Sequence, residues 1–143
     1  MAIPEKIHLE IVTAEKQVFS GDVDSIIVPA LTGYIGILPG HAPLLAELGI
    51  GEILFAVNDT MEDVFCSWGF VEVLPDRVVI LAQTAELSSD IDLKRAEEAR
   101  ARAEKLLLSG DPEVDYAAAE LAVMRAISRI NAAQSVVRRR QHK

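Results

Sequence analysis

The sequence predicts an N-terminal antiparallel β-sandwich followed by a C-terminal antiparallel α-helical hairpin. Short runs of alternating apolar and polar residues fill residues 7–87, separated by glycine, proline and asparagine turns, as is typical of antiparallel strands. From Ser88 onwards the apolar residues recur with a helical period. The charge changes at the same point, because residues 1–87 carry 13 acidic and 3 basic side chains whereas residues 88–143 carry 9 and 11. We therefore expect two domains, residues 1–87 and residues 88–143.

The alternation of apolar side chains places the strands. We predict strands over 7–12, 23–29, 44–48, 52–57, 64–68, 70–74 and 78–82. Gly49 and Gly51 separate two of these strands, and Asn58-Asp59 is a turn that joins Ile53–Val57 and Val64–Trp68 as a hairpin. Seven short strands with regular turns are typical of a sandwich or barrel.

Two helices follow. Ser89-Asp90-Ile91-Asp92 resembles a capping box with Asp in place of Glu, so we expect a helix that begins there and ends near Leu108, before Ser109-Gly110. We expect Asp111 to cap the second helix, with Pro112 at its first position and its end near Val137. Alanines are expected at the facing positions: Ala96, Ala99, Ala103, Ala117, Ala118, Ala119, Ala122, Ala126, Ala132 and Ala133. Such small side chains bury little area, which favours stable helices with a weak mutual interface.

Composition excludes several classes of protein. The net charge of -8 argues against nucleic acid as the main partner. The single cysteine, Cys66, cannot form an internal disulfide and indicates a reducing compartment. No apolar run is long enough for a membrane helix, and the first residues do not resemble a signal peptide. We expect no metal site, because the three histidines are far apart, and no catalysis, because the sequence contains neither a phosphate-binding glycine-lysine-serine pattern nor a nucleophile elbow.

The stretch from Thr32 to Leu45 is the most constrained in the chain. It contains three glycines, which free the backbone, and two prolines, which fix it, among apolar residues. An ordinary structural turn is one explanation. A protein-binding loop is the other, because so apolar a loop either packs on its own sheet or meets a partner. A small enzyme with its site at Gly40-His41 remains a third reading.

Four motifs carry a resemblance to a known family. They are Gly36-Ile37-Leu38-Pro39-Gly40-His41-Ala42-Pro43-Leu44, Ser20-Gly21 with Ile26-Ile27-Val28-Pro29, Trp68-Gly69-Phe70-Val71-Glu72-Val73, and Ile91-Asp92-Leu93-Lys94-Arg95-Ala96. In this order and spacing they resemble the epsilon subunit of the bacterial F-type ATP synthase over nearly the whole chain. Trp68 departs from the family, which has glycine there. Thr32 and Tyr34 also depart, because many members carry acidic residues beside the first glycine of the loop.

The resemblance implies a non-catalytic subunit of the central stalk. Its partners would be the gamma subunit, the c-subunit ring and, through the C-terminal helices, the catalytic alpha and beta subunits. It would contact the membrane only through the complex. The complex would place it at the cytoplasmic face of the bacterial inner membrane. The sandwich would help couple proton flow to ATP synthesis, and the hairpin would inhibit ATP hydrolysis. The partner-binding loop would consist of Gly36, Leu38, Pro39, Gly40, His41 and Pro43. The basic run Arg138-Arg139-Arg140 would suit an acidic protein surface.

The resemblance also implies a regulatory ATP site, although no cofactor is required. Residues Ile91, Asp92, Arg95 and Ala96 match a motif that binds ATP in some epsilon subunits, and Glu86, Arg102, Arg125 and Arg129 correspond to its outlying positions. Arginine suits phosphate because its planar fork of donors matches phosphate oxygens. A solvated helix face is the alternative for these arginines. A free-standing nucleotide sensor that uses the same arginines is the alternative function.

Overall fold

The computed structural model describes residues 2–141, with side chains described as far as residue 135. The strands are β1 (Ile7–Val12), β2 (Gln17–Val23), β3 (Ser25–Ala30), β4 (Gly33–Ile37), β5 (Leu44–Val57), β6 (Thr60–Val73) and β7 (Arg77–Leu87). A short 3₁₀ helix (Ser88–Asp90) leads into α1 (Leu93–Leu108) and α2 (Tyr116–Gln141). The predicted succession of a β domain and a helical hairpin is confirmed.

The seven strands form one sheet in the order β2-β1-β7-β6-β5-β3-β4. The sheet folds over on itself as a sandwich, because Phe19 of β2 packs against Phe55 of β5, four strands away, with ring centroids 4.4 Å apart. Branched aliphatic side chains from both halves fill the core between them, as the low aromatic content requires. The prediction of antiparallel pairing holds except between β1 and β7, which run parallel and join the two ends of the β domain.

Strands β5 and β6 correct the predicted boundaries. Each is a single strand of 14 residues, whereas the sequence predicted two shorter ones in each place. Gly51 lies inside β5. The position requires glycine because a Cβ there would come within 2.6 Å of the Pro29 ring and 2.8 Å of the Tyr34 hydroxyl. Asn58 and Asp59 form the predicted two-residue turn, both with positive φ, as such tight hairpins require.

Trp68 and Gly69 mark an irregularity in the middle of β6. Trp68 has φ of 57°, a left-handed conformation that costs a bulky residue free energy. The resembling family has glycine at this position, and the backbone shows why. At Gly69 a Cβ would lie 2.1 Å from the Leu81 carbonyl oxygen. The absence of a side chain at Gly69 therefore allows β7 to approach β6 closely.

The helix starts differ from the predictions. The N-cap of α1 is Asp92, whose side chain accepts a hydrogen bond from the Arg95 N–H at 3.1 Å, so Ser89 is not the cap. The residues before it are taken up by the 3₁₀ helix. Asp111 closes a separate turn instead of capping α2. Asp115 accepts from the Ala118 N–H at 3.0 Å, and α2 therefore begins at Tyr116 rather than at Pro112. It ends at Gln141, four residues later than predicted.

Helix α2 packs against both α1 and the sandwich, where it contacts β5, β6 and the 3₁₀ helix. Several of the expected small residues are buried in the helical region: Ala96, Ala103, Ala119, Ala126 and Ala132. Ala117 and Ala118 are exposed, however, so these two predicted facing positions are wrong, and Ala119 is the buried alanine of this first turn. The hairpin is thus folded down on the sandwich.

Candidate functional site: a cleft between sandwich and hairpin

A cleft of about 450 Å³ lies where the last strand of the sandwich meets the helical hairpin. Its lining consists of Glu86, Asp90, Ile91, Asp92, Arg95, Ala96, Ala99, Arg102 and Arg129. Seven of the eight predicted nucleotide-binding residues therefore come together, from the end of β7, the start of α1 and the middle of α2. Arg125 is the exception, since it lies outside the lining of this cleft. Asp90 and Ala99 line the cleft and were missed by the motif comparison.

The start of α1 gives one wall of the cleft its positive character. Asp92 caps the helix, so the first N–H groups of α1 open towards this end. Arg95 and Arg102 lie seven residues apart on one face, and both side chains are exposed. These groups match the needs of an anionic ligand. The carboxylates of Asp90 and Asp92 balance part of that charge.

Arg129 forms the opposite wall and is held by the sandwich. Its Nε donates a hydrogen bond to Glu86 Oε1 at 2.7 Å. Its guanidinium carbon lies 4.3 Å from the centroid of the Phe65 ring, a cation–π contact. Phe65 and Glu86 are direct cross-strand partners, so their side chains stand next to each other on one face of the sheet. The orientation of Arg129 is therefore determined by residues of the sandwich.

The predicted partner-binding loop connects β4 to β5 as a braced turn. The Gly40 N–H donates to the Pro75 carbonyl oxygen at 2.8 Å, and the His41 N–H donates to that of Leu38 at 3.1 Å. Gly40 has φ of 84°, and a Cβ there would meet the Ile3 side chain at 2.8 Å. Leu38 projects from this rigid turn with 65% of its surface exposed. The loop thus presents an apolar side chain outward.

His41 is engaged with its own backbone. Its Nδ1 lies 2.7 Å from the Ala42 carbonyl oxygen, so the ring donates a proton there and is fixed in orientation. Within residues 2–135, no group of three or more histidine, cysteine, aspartate or glutamate side chains is placed to hold a metal ion. Cys66 is buried in the sandwich, and burial raises the pKa of its thiol to about 12, which leaves it a poor nucleophile.

A second exposed apolar surface lies on neighbouring strands close to the loop. Leu45 on β5, Phe70 on β6 and Leu81 on β7 are 70%, 52% and 56% exposed, and Phe70 is paired directly with Leu81. We call these three residues the apolar face. Leu45 directly follows the loop in sequence. This surface was not among the predicted sites, although the adjacent apolar pairs Leu44-Leu45, Phe70-Val71 and Ile80-Leu81 indicated it. In a strand, two consecutive apolar residues face opposite sides, so one of each pair lies outside the core.

None of the helices among the described residues has the length and apolar character that a membrane span requires.

Two family models match the chain in succession. The model for the beta-sandwich domain of the ATP synthase delta/epsilon chain matches residues 6–88, and the model for its long alpha-helix domain matches residues 89–134. The ATP synthase epsilon chain of Halalkalibacterium halodurans is 45% identical over 128 residues, which cover 89% of this chain and 96% of the relative. That of Syntrophobacter fumaroxidans is 42% identical over 130 residues, covering 91% and 97%.

Solved structures share the fold at low identity. A chain of the Euglena gracilis mitochondrial ATP synthase, in its OSCP/F1/c-ring structure, superposes with a TM-score of 0.80 at 21% identity, covering 96% of this chain and 84% of that one. A chain of the central stalk and c ring of the Tetrahymena thermophila mitochondrial ATP synthase gives 0.56 at 15% identity, covering 94% and 98%. From both domain matches and the identities over most of its length, the chain belongs to the family of F-type ATP synthase epsilon chains.

Proposed function

We propose that this chain is a non-catalytic subunit of the central stalk, bound through its sandwich to the gamma subunit and the c ring. The observation that supports this most is that the apolar face lies next to the predicted partner-binding loop. Both are exposed, both are apolar, and both belong to the sandwich. Exposed apolar surface of this kind is typical of sites that are covered in an assembly. Adjacent acidic residues, Glu47 and Glu72, are also exposed and would suit basic groups on the partner.

The loop is tested by substitutions that leave its turn intact. Leu38→Asp and His41→Ala should weaken binding to a stalk and ring complex that lacks its own epsilon chain, measured by co-purification with identification of the bound subunits. Thr60→Asp is the matched control, because it adds the same charge at the turn at the other end of β5 and β6. If both loop variants assemble and couple as well as the control does, the loop is only structural.

The hairpin would regulate this complex. We propose that its helices restrain ATP hydrolysis when they leave the sandwich and reach the catalytic alpha and beta subunits, while the folded hairpin permits turnover. The low area buried by an alanine-rich interface supports a small difference in free energy between the two arrangements, which partners or ligands can shift. The complex would place the chain at the cytoplasmic face of the bacterial inner membrane.

We propose ATP as the regulatory ligand of the cleft. Its volume lies within the range of small-molecule sites, about 300–1,000 Å³. Arg95, Arg102 and Arg129 line it together with the N-terminus of α1, so phosphate groups would meet donors from both helices. Because these donors converge only when the hairpin is folded, ATP would stabilise that form. The same geometry favours the second candidate function, a nucleotide sensor that works apart from the complex.

Calorimetry on the full chain tests the nucleotide proposal. Arg95→Ala should weaken ATP binding about tenfold or more, since it removes a charge-assisted phosphate contact. Arg100→Ala is the control, because that side chain pairs with Glu104 along α1 and lies outside the cleft lining. Equal ATP binding by both variants, or none by the unmodified chain at millimolar ATP, contradicts the site. Co-purification with a multi-subunit ATPase separates the stalk subunit from the free sensor.

A further inference from the structure

The face of β6 that α2 covers is built differently from the core face of the same strand. Val64 and Cys66 belong to the sandwich core. Asp63 and Phe65 alternate with them and therefore point to the opposite side of the sheet. Both are nevertheless fully buried, because α2 packs over this part of β6. The sandwich thus presents a buried phenylalanine flanked by carboxylates to the hairpin. We call Asp63, Phe65 and Glu86 the latch surface.

Helix α2 meets the latch surface at two points. Arg129 donates to Glu86 and lies over the ring of Phe65. Ser135, six residues further along the helix, donates its hydroxyl hydrogen to a carboxylate oxygen of Asp63. Ala132 lies midway between these two positions and is completely buried. Arg129, Ala132 and Ser135, spaced three residues apart, therefore lie on a face of α2 that is turned away from solvent.

These contacts join the two domains and use only groups of the chain itself. The side chains of Arg129 and Glu86 are 29% and 33% exposed, so their bond is shielded from solvent more than a surface pair is. Charge-assisted hydrogen bonds in such surroundings are stronger than neutral ones. Opening the hairpin would also uncover Phe65, whose transfer to water is unfavourable.

We propose that the latch surface holds the hairpin in the folded state in the absence of nucleotide. The main role of Arg129 is then to position α2 on the sandwich, and Glu86 is the carboxylate that binds Arg129. The inhibitory, extended form requires the latch to open. This inference does not depend on the proposed ATP site, because it concerns the chain without ligand. It also replaces the simplest two-state scheme, in which nucleotide alone keeps the hairpin folded.

The experiment measures the hairpin position in the full chain without nucleotide. Fluorescent labels at Asp76→Cys, in the turn between β6 and β7, and Leu108→Cys, at the end of α1, report the distance between sandwich and hairpin by energy transfer between single pairs. Cys66 is buried and stays unlabelled. The unmodified chain should show one dominant population, in which the hairpin is folded on the sandwich. Glu86→Gln and Arg129→Gln should each raise the ratio of open to folded molecules about five- to tenfold, and the double variant should add little to either.

The control uses a pair of the same chemistry that does not join the domains. Arg100 and Glu104 are bonded at 2.8 Å within α1, so Arg100→Gln should leave the ratio unchanged. Ser135→Ala tests the hydrogen bond to Asp63 and should raise the ratio of open to folded molecules by a smaller factor. The proposal is overturned if Glu86→Gln and Arg129→Gln match the Arg100→Gln control. It is equally overturned if the unmodified chain is open without nucleotide and folds only when ATP is added. An unmodified chain that binds no ATP but still shows one dominant folded population would reject the nucleotide site and leave the latch standing.

Discussion

Phe70 offers the sharpest test of the apolar face. The side chain stands on β6 beside Leu81 and is about half exposed, so Phe70→Asp removes surface that the fold itself does not need. A phenylalanine presents roughly 200 Å², so about 100 Å² remains for a partner to cover. At about 25 cal/mol per Å² this area contributes roughly 2.5 kcal/mol to binding, or about 70-fold in affinity. Desolvation of the new carboxylate adds to the loss.

The assay is a titration of the labelled full chain against an ATP synthase complex stripped of its own epsilon chain. We expect the Kd to rise about 50-fold or more for Phe70→Asp and little for Thr60→Asp, which adds the same charge at the far end of the strand. Thermal unfolding of both variants checks that the sandwich is intact. A Kd within twofold of the unmodified chain, with normal unfolding, would show that this face is not part of the interface.

Three further predictions concern the stability of the sandwich. Gly69→Ala should lower the unfolding free energy by about 3 kcal/mol or more in urea titrations, because its Cβ would collide with the Leu81 carbonyl and its φ of 148° suits only glycine. The Lys6 ammonium and the Asn58 N–H lower the pKa of Asp24 below 3.8, so stability present above pH 4 should be lost as the pH falls further, and Asp24→Asn should flatten that loss in acid titrations. Burial raises the pKa of Cys66 from 9.0 to about 12, so stability should fall between these pH values because the unfolded thiol ionises first, and Cys66→Ala should make that decline smaller.

Local patterns predicted the elements well where a single physical cause determined them. The Asn58-Asp59 turn, the end of α1 at Leu108 and the change from strands to helices all follow from turn chemistry and periodicity. Gly49 and Gly51 were misread as breaks, because the reason for Gly51 lies in the Pro29 ring and the Tyr34 hydroxyl, which come from other strands.

The candidate site shows the same difference between local and long-range features. The family motif names Asp92 and Arg95, and both line the cleft at the start of α1. The bond between Arg129 and Glu86 joins residues 43 positions apart, and Phe65 completes the contact from a third element. No local pattern contains that information. The predicted start of α2 was wrong because Asp111 uses its side chain in a separate turn, and Asp115 caps the helix instead.

Hydrolysis by the assembled ATP synthase tests the central claim most directly. The complex is reconstituted either with the full chain or with residues 1–87, and its ATP hydrolysis and synthesis are measured under the same conditions. If the sandwich assembles the stalk and the hairpin restrains the catalytic subunits, the complex with residues 1–87 should hydrolyse ATP several-fold faster while synthesis persists. Equal hydrolysis by the two complexes, with equal amounts of the chain bound, would contradict the account.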